Sequence, residues 1–235
     1  PNRAHGILRL INERRSLEEK INRLSRYDPL TGLFNRTHLN ACLEEAFEEI
    51  GRTGEPMAFL VVGLQHLDLI NSVYGYDAGD AVISEVAKQI KENVRVRDMV
   101  GRFSGAKIGL ILPECDERGL RIAGYRILNL LRENVVTTER GPIAVSVAIG
   151  GVLLPQHARD SKQVFMAAHQ ALNESRGNRD ASLVTYQPDP SRAAARLREA
   201  EMAEKVVTAL KERRMHLVWQ PIIDAKTKRD AFHED

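Results

Sequence analysis

A mixed α/β fold is what this sequence predicts: a sheet of about five strands flanked by helices, with an amphipathic helix ahead of it. Three observations carry that prediction. Residues 57–64 (MAFLVVGL) form a short apolar run rich in strand formers, the pattern of a strand buried on both faces. Residues 99–103 and 108–112 are two further apolar runs with Ser104-Gly105 between them, a hairpin signal. Around them lie longer segments whose apolar residues recur at steps of three and four, the helical period.

The elements follow in order. Ile7, Leu10, Leu17, Ile21 and Leu24 keep alternating steps of three and four, with Arg14 as the one break in the seam. Residues 1–27 therefore read as an amphipathic helix. Either it is a coiled coil that pairs two copies, or it packs on its own domain. It stops at Asp28-Pro29, because the residue before a proline is pushed out of the helical region. A helix is expected over 35–50, closed by 51–56, and the strand 57–64 follows. A short helix over 67–73 ends at Gly75, and a longer one spans 77–94 with Ala81, Val82, Val86 and Ile90 on one face. After the hairpin come a helix over 116–134 and a long strand over 143–154. Its Gly150-Gly151 interruption marks a bulge or a close backbone approach. A helix over 161–176 and a closing strand over 183–186 complete the set. The order β-α-α-ββ-α-β-α-β mixes crossovers with a hairpin, in the style of the ferredoxin-like and cyclase palm folds. Composition shifts at Pro188-Asp189-Pro190, before a charged, Ala-rich helix over 191–213 and an apolar strand over 215–220 that lacks a partner in the chain. The expected division is thus 1–27, 28–187 and 188–235, the last entering a second domain.

Composition bounds the function. The 235 residues carry 34 Lys and Arg against 32 Asp and Glu, a formal net charge of only +2. Basic residues form no run interleaved with aromatics, so no nucleic-acid partner is expected. Two cysteines, Cys42 and Cys115, stand far apart with no metal-ligand spacing, which suits a reducing compartment and no structural zinc. No apolar stretch approaches the roughly 18 residues that span a bilayer. A cytoplasmic location with no membrane contact in this segment is expected.

Three phrases in order resemble the GGDEF (diguanylate cyclase) family. They are DPLTGLFNR (28–36), INSVYGYDAGD (70–80) and the hairpin GRFSGAKI (101–108). Beyond them, Trp219-Gln220-Pro221-Ile222 followed by Phe232-His233-Glu234 resembles the first strand of an EAL phosphodiesterase domain, Glu234 being the glutamate of that domain's naming motif. The resemblance implies a cyclase-like palm fold and a GGDEF–EAL hybrid parent in cyclic di-GMP signalling.

Active members of the family condense two GTP molecules with the help of Mg²⁺, a hard cation that binds through carboxylates and substrate phosphates. By the resemblance, the metal carboxylates come from the end of the first strand and from the hairpin. This sequence has Gly63 at the first-strand position and Gln65 at the motif's next acidic one. Its hairpin reads Ser104, Gly105, Ala106, Lys107, Ile108 where the family has Gly-Gly-Asp-Glu-Phe. Asp68 replaces a usual lysine. Mg²⁺ binding is therefore expected to be weak or absent, with no cofactor required and no catalytic residue left.

Other family positions persist. Asn71 and Asp80 match the guanine-contacting pair, and a carboxylate can accept both N–H groups of guanine's Watson–Crick edge. The alternatives are that Asp80 is an acid favoured by a helix dipole and that Asn71 is a polar turn residue. Arg176 matches a lysine that contacts the γ-phosphate. Lys107 either faces the triphosphate or is a solvated lysine on a hairpin. Arg95-Val-Arg-Asp98 lies nine residues before Ser104, at the offset of the family's inhibitory cyclic di-GMP site, and Arg126 matches a second contributing arginine. Arginine suits that ligand because its planar fork binds phosphate or a guanine edge; the alternative is a surface ion pair.

The function expected from these residues is a catalytically inactive GGDEF domain that binds a guanine nucleotide and controls an attached EAL domain. Two alternatives stand beside it: a structural, dimerising module, or a cyclic di-GMP receptor working through Arg95 and Asp98.

Overall fold

The computed structural model of the chain describes residues 24–177, 182–189, 202, 204–214, 221–223 and 230–233. Residues 1–23 of the helix expected over 1–27 lie outside these residues, and 24–26 are helical; the strand over 215–220 and about half of the helix over 191–213 also lie outside. The chain divides into two units, Pro1–Gln187 and Pro188–Asp235.

The larger unit runs α1 (Arg36–Thr53), β1 (Met57–Leu64), α2 (Leu67–Tyr74), α3 (Tyr76–Glu92), β2 (Met99–Ser104) and β3 (Lys107–Leu112). It continues through α4 (Glu117–Glu133), β4 (Val135–Thr138), β5 (Gly141–Ala144), β6 (Val147–Leu154), α5 (Ser161–Gly177) and β7 (Leu183–Thr185). Five strands make one sheet in the order β2-β3-β1-β6-β7. β1 is antiparallel to both β3 and β6, while β7 runs parallel to β6. This is the mixed, helix-flanked sheet that the sequence predicts.

The central strand explains its own composition. Every residue of β1 is buried. Side chains alternate across a strand, so Leu60 and Val62 join one core with Val86 and Ile90 of α3 and Ile127 and Leu131 of α4. Phe59 and Val61 join the opposite core with Leu39 and Leu43 of α1 and Ala168 and Leu172 of α5. Both faces are covered by helices, which is why the run is continuously apolar rather than alternating.

Caps place the helix ends. Asn35 accepts the N–H of His38 at 2.9 Å and so starts α1, and Gly54, at φ 74, ends it. Asp116 accepts the N–H of Gly119 at 2.7 Å and starts α4.

One expectation changes and one alternative is decided. The strand expected over 143–154 is two strands: β5 leaves the main sheet to pair with β4 in a separate ribbon, and β6 alone continues beside β1. β4 (VVTT) has too few residues to announce itself, and its burial of Val136 beside Ile143 depends on the neighbouring core. The Gly150-Gly151 interruption is not a bulge, because the β1–β6 register runs through it without a shift. It is a close approach: a Cβ on Gly150 would stand 2.5 Å from the Leu172 backbone nitrogen and 2.7 Å from the Ala168 carbonyl oxygen. α5 can lie this near the sheet only over glycine.

In the second unit, residues 204–211 are helical. β8 (Pro221–Ile223) and β9 (Asp230–His233) form an antiparallel pair with an irregularity at Ile222 and Ile223.

Candidate nucleotide site

The end of β1 and the β2–β3 turn form one corner of the sheet. Gly63 is paired with Lys107 on β3 and with Ala148 on β6. Directly paired residues project to the same face, so Lys107 shares the α5 side with the bare Cα of Gly63. The last turn of α5 covers that spot. A Cβ at Gly63 would lie 2.9 Å from Nη2 of Arg176 and 3.0 Å and 3.1 Å from the two Leu172 methyl carbons. The same Arg176 nitrogen donates to the Leu64 carbonyl at 3.2 Å. The guanidinium therefore rests where a longer residue at 63 would put its side chain.

Lys107 is half-buried. Burial, and then the positive charge of Arg176, pull its amine below the ordinary lysine value. Among the described residues neither cation has an ion-pair partner. Beside them a cleft of about 340 Å³ is lined by Leu64, Gln65, His66, Leu67, Asp68 and Arg176. Gln65 is held at its edge, its N–H donating to the Ser146 carbonyl at 2.8 Å and its side-chain oxygen accepting the Ser146 hydroxyl at 3.3 Å. Asp68 is exposed in the first turn of α2.

The hairpin turn is braced from behind. Phe103 is a bulged residue between the pairs Arg102–Ile108 and Ser104–Lys107, and Gly105, at φ 45, makes the turn. Arg102 Nε donates to the Gly105 carbonyl at 2.9 Å. Its Nη1 reaches both oxygens of Asp28, at 3.2 Å and 3.3 Å. Asp28 also accepts the Thr31 N–H and hydroxyl at 2.9 Å and 2.8 Å. Burial pushes the Asp28 carboxyl up, but the Thr31 bonds and Arg102 outweigh it, and it sits below the ordinary carboxylate value. The sequence reading missed this pair. An Asp before Pro with Thr three residues on signals a local turn; nothing in the sequence says that the carboxylate meets an arginine 74 residues later.

Asn71 and Asp80 come from α2 and α3, which meet at Gly75. Asn71 packs its side-chain oxygen over Gly79, the neighbour of Asp80; a Cβ on Gly79 would fall 1.9 Å from that oxygen. The absent side chain of Gly79 is what lets the amide lie beside the Asp80 backbone. Asp80 is exposed and Asn71 half-buried, and among the described residues neither side chain is hydrogen-bonded to the protein. Both remain open to a ligand.

Arg95, Asp98 and Arg126 line a second cleft of about 290 Å³, together with Glu114, Asp116 and Arg118 on its walls. Asp98 is only 6% exposed, and its Oδ2 accepts the Arg95 N–H at 2.8 Å. The corner that the sequence singles out is thus one concavity, with its carboxylate already turned toward its own backbone.

The sequence profile described as "Diguanylate cyclase, GGDEF domain" matches residues 25–181, well over half of the chain. The chain belongs to the GGDEF family. Its relatives include the cyclic di-GMP phosphodiesterase NbdA of Pseudomonas aeruginosa, 26% identical over 91% of this chain and 27% of that protein. The diguanylate cyclase DosC of Escherichia coli K12 is 28% identical over 66% of this chain and 35% of its own length. The chain thus spans about a third or less of the curated relatives it matches. Among solved structures, the GGDEF domain of TpbB (YfiN) from P. aeruginosa superposes with a TM-score of 0.66 at 25% identity, over 72% of this chain and 99% of that one. The coiled coil and GGDEF domain of DgcB from Caulobacter crescentus, in complex with c-di-GMP, shares the fold with a TM-score of 0.69 at 22% identity, over 78% and 97% of the two chains. Among the described residues of this GGDEF protein, no helix is long and apolar enough to cross a membrane.

The Mg²⁺ that the GGDEF family implies does not fit the residues present. Among the described residues no group of three or more His, Cys, Asp or Glu side chains converges to hold a metal ion. At the family's positions stand Gly63, Ala106 and Lys107, with Arg176 over the first. Two cations face the place where carboxylates would hold a third.

Proposed function

We propose that this GGDEF domain binds a guanine nucleotide without turning it over and uses the occupancy to control an EAL-type cyclic di-GMP phosphodiesterase domain in cis. The observation that carries the reading is that Asn71 and Asp80, where α2 meets α3, make no side-chain hydrogen bond among the described residues, while Lys107 and Arg176 gather at Gly63, where the resemblance expects carboxylates. In this reading Asp80 accepts the two N–H groups of the guanine edge and Asn71 adds a further hydrogen bond. Arg176 and Lys107 meet the phosphates. No group remains to assemble a metal-activated 3′-hydroxyl, so condensation of two nucleotides does not follow binding. Adenine offers no edge that satisfies Asp80, and an unsatisfied carboxylate costs about 1–3 kcal/mol; GTP is therefore preferred over ATP.

Coupling requires that the nucleotide favour one arrangement of the segment leading to the EAL domain over another, since equal affinity for both shifts nothing. The EAL assignment draws on the resemblance of residues 219–234 and on the paired strands β8 and β9. The test is calorimetric titration of the chain with GTP and ATP, followed by cyclic di-GMP hydrolysis by the full-length protein with and without GTP. GTP is expected to change hydrolysis, and Asp80→Ala to abolish that response while basal hydrolysis stays. Binding without any effect on hydrolysis would leave the structural, dimerising module as the better account.

A second reading is favoured by one specific observation, the gathering of Arg95, Asp98 and Arg126 on a single cleft. Cyclic di-GMP held there would be recognised by arginine forks on phosphate or guanine. Its affinity should fall as salt rises and should drop in Arg95→Ala; equal affinity in variant and parent places the ligand elsewhere.

A further inference from the structure

We propose that the corner formed by Gly63, Lys107 and Arg176 is an anion site for a polyphosphate that carries no divalent metal, so that Mg²⁺ opposes nucleotide binding here instead of supporting it. The proposal rests on the guanine-nucleotide reading for its natural ligand and concerns the phosphate end of that same site.

The register sets the geometry. Lys107 and Gly63 are directly paired, so the ammonium projects on the face where Gly63 has no side chain. Arg176 fills that gap, with Nη2 only 2.9 Å from the place of the missing Cβ and anchored on the Leu64 carbonyl. The two cations are close enough that Arg176 disfavours the charged form of Lys107. Like charges held together on a partly desolvated face, with no ion-pair partner among the described residues, are stabilised by an arriving anion. Asp68, on the wall of the same cleft, is exposed and is screened by solvent.

A triphosphate chelated to Mg²⁺ brings two positive charges to the groups that would otherwise pair with Lys107 and Arg176. At the paired strand ends the metal finds no carboxylate, because Gly63, Ala106 and Lys107 supply none from their side chains. The bare polyanion is therefore the better ligand. A nucleotide–metal complex, which a carboxylate-lined corner would select, is the worse one.

The test measures the affinity of the chain for GTP and, separately, for inorganic tripolyphosphate, each with EDTA and with millimolar Mg²⁺ at matched ionic strength. GTP affinity is expected to fall by about tenfold or more when Mg²⁺ is present. Tripolyphosphate should bind in EDTA and be weakened in the same direction. Lys107→Glu should lose most of the metal-free affinity and the sensitivity to Mg²⁺. The parent titrations need no variant, so a poorly folded Lys107→Glu does not spare the proposal. GTP or tripolyphosphate binding that is equal or tighter with Mg²⁺ overturns the anion site, and GTP bound under both conditions would then leave the guanine reading standing. Tripolyphosphate that binds in EDTA and is weakened by Mg²⁺, beside GTP that binds in neither, upholds the anion site and removes the guanine reading. Failure of both ligands to bind overturns both.

Discussion

Gly79→Ala is expected to move stability and ligand affinity in opposite directions. Gly79 lies inside α3, where alanine in place of glycine adds up to about 1 kcal/mol of helix stability. The new Cβ would stand 1.9 Å from the side-chain oxygen of Asn71, with Leu67 no nearer than 3.5 Å. Ordinary contact needs about 3.5 Å, so the amide must withdraw by more than 1 Å. Asn71 can do so by changing rotamer, at little cost to the fold, because its side chain makes no hydrogen bond among the described residues. It cannot do so and keep a hydrogen bond to a base, whose distance tolerance is a few tenths of an ångström. Losing one such bond costs about 0.5–1.5 kcal/mol, roughly a twofold to twelvefold rise in Kd. Calorimetric titration with GTP beside thermal unfolding reads both quantities. Tm should hold or rise while affinity falls. In an Asn71→Ala background the same change should leave affinity untouched, since the contact it disturbs is already gone. Parent-like GTP affinity in Gly79→Ala would refute the assignment of Asn71 to the base.

Four further outcomes are expected. With Mg²⁺ or Mn²⁺ the chain makes no cyclic di-GMP from GTP, and product above a no-enzyme control overturns this. Restoring Gly63→Asp, Ala106→Asp and Lys107→Glu together should raise metal-dependent nucleotide binding, and more so with Arg176→Ala added, because the guanidinium otherwise pairs with the new carboxylate at 63. Arg102→Ala removes the bonds to Asp28 and Gly105 and should cost about 1–3 kcal/mol in urea denaturation. Asp28 has a lowered pKa, so its contribution is complete above about pH 4 and disappears as pH falls through the folded value. The parent should therefore lose more stability on acidification than Arg102→Ala, and parallel losses count against the pair. Gly150→Ala pushes a methyl against α5 backbone that no rotamer change can clear, and a destabilisation of about 1–3 kcal/mol or more is expected from the same denaturation. A neutral effect would mean that α5 shifts freely on the sheet.

The sequence by itself determined the family, most of the elements in their order, and the residue types at 63, 106 and 107, where the resemblance expects carboxylates. Each is written locally. An apolar run of eight residues is a strand buried on both faces whatever its neighbours, and Ala106 or Lys107 cannot become a carboxylate through folding. The hairpin, the helices and the short α2 ending at Gly75 were legible for the same reason, because period and turn chemistry act within a few residues. What the sequence left open is non-local. Whether 143–154 is one strand or two depended on a partner, β4, too short to show a pattern of its own. Whether Gly150-Gly151 meant a bulge or a contact depended on α5 arriving above it. Nor could the sequence show that Arg176 covers Gly63, that Asp28 holds Arg102, or that Asn71 leans over Gly79. Those contacts join residues brought close by sheet register and helix packing, and tertiary packing alone sets such distances. They give the corner around Gly63 a definite charge and shape.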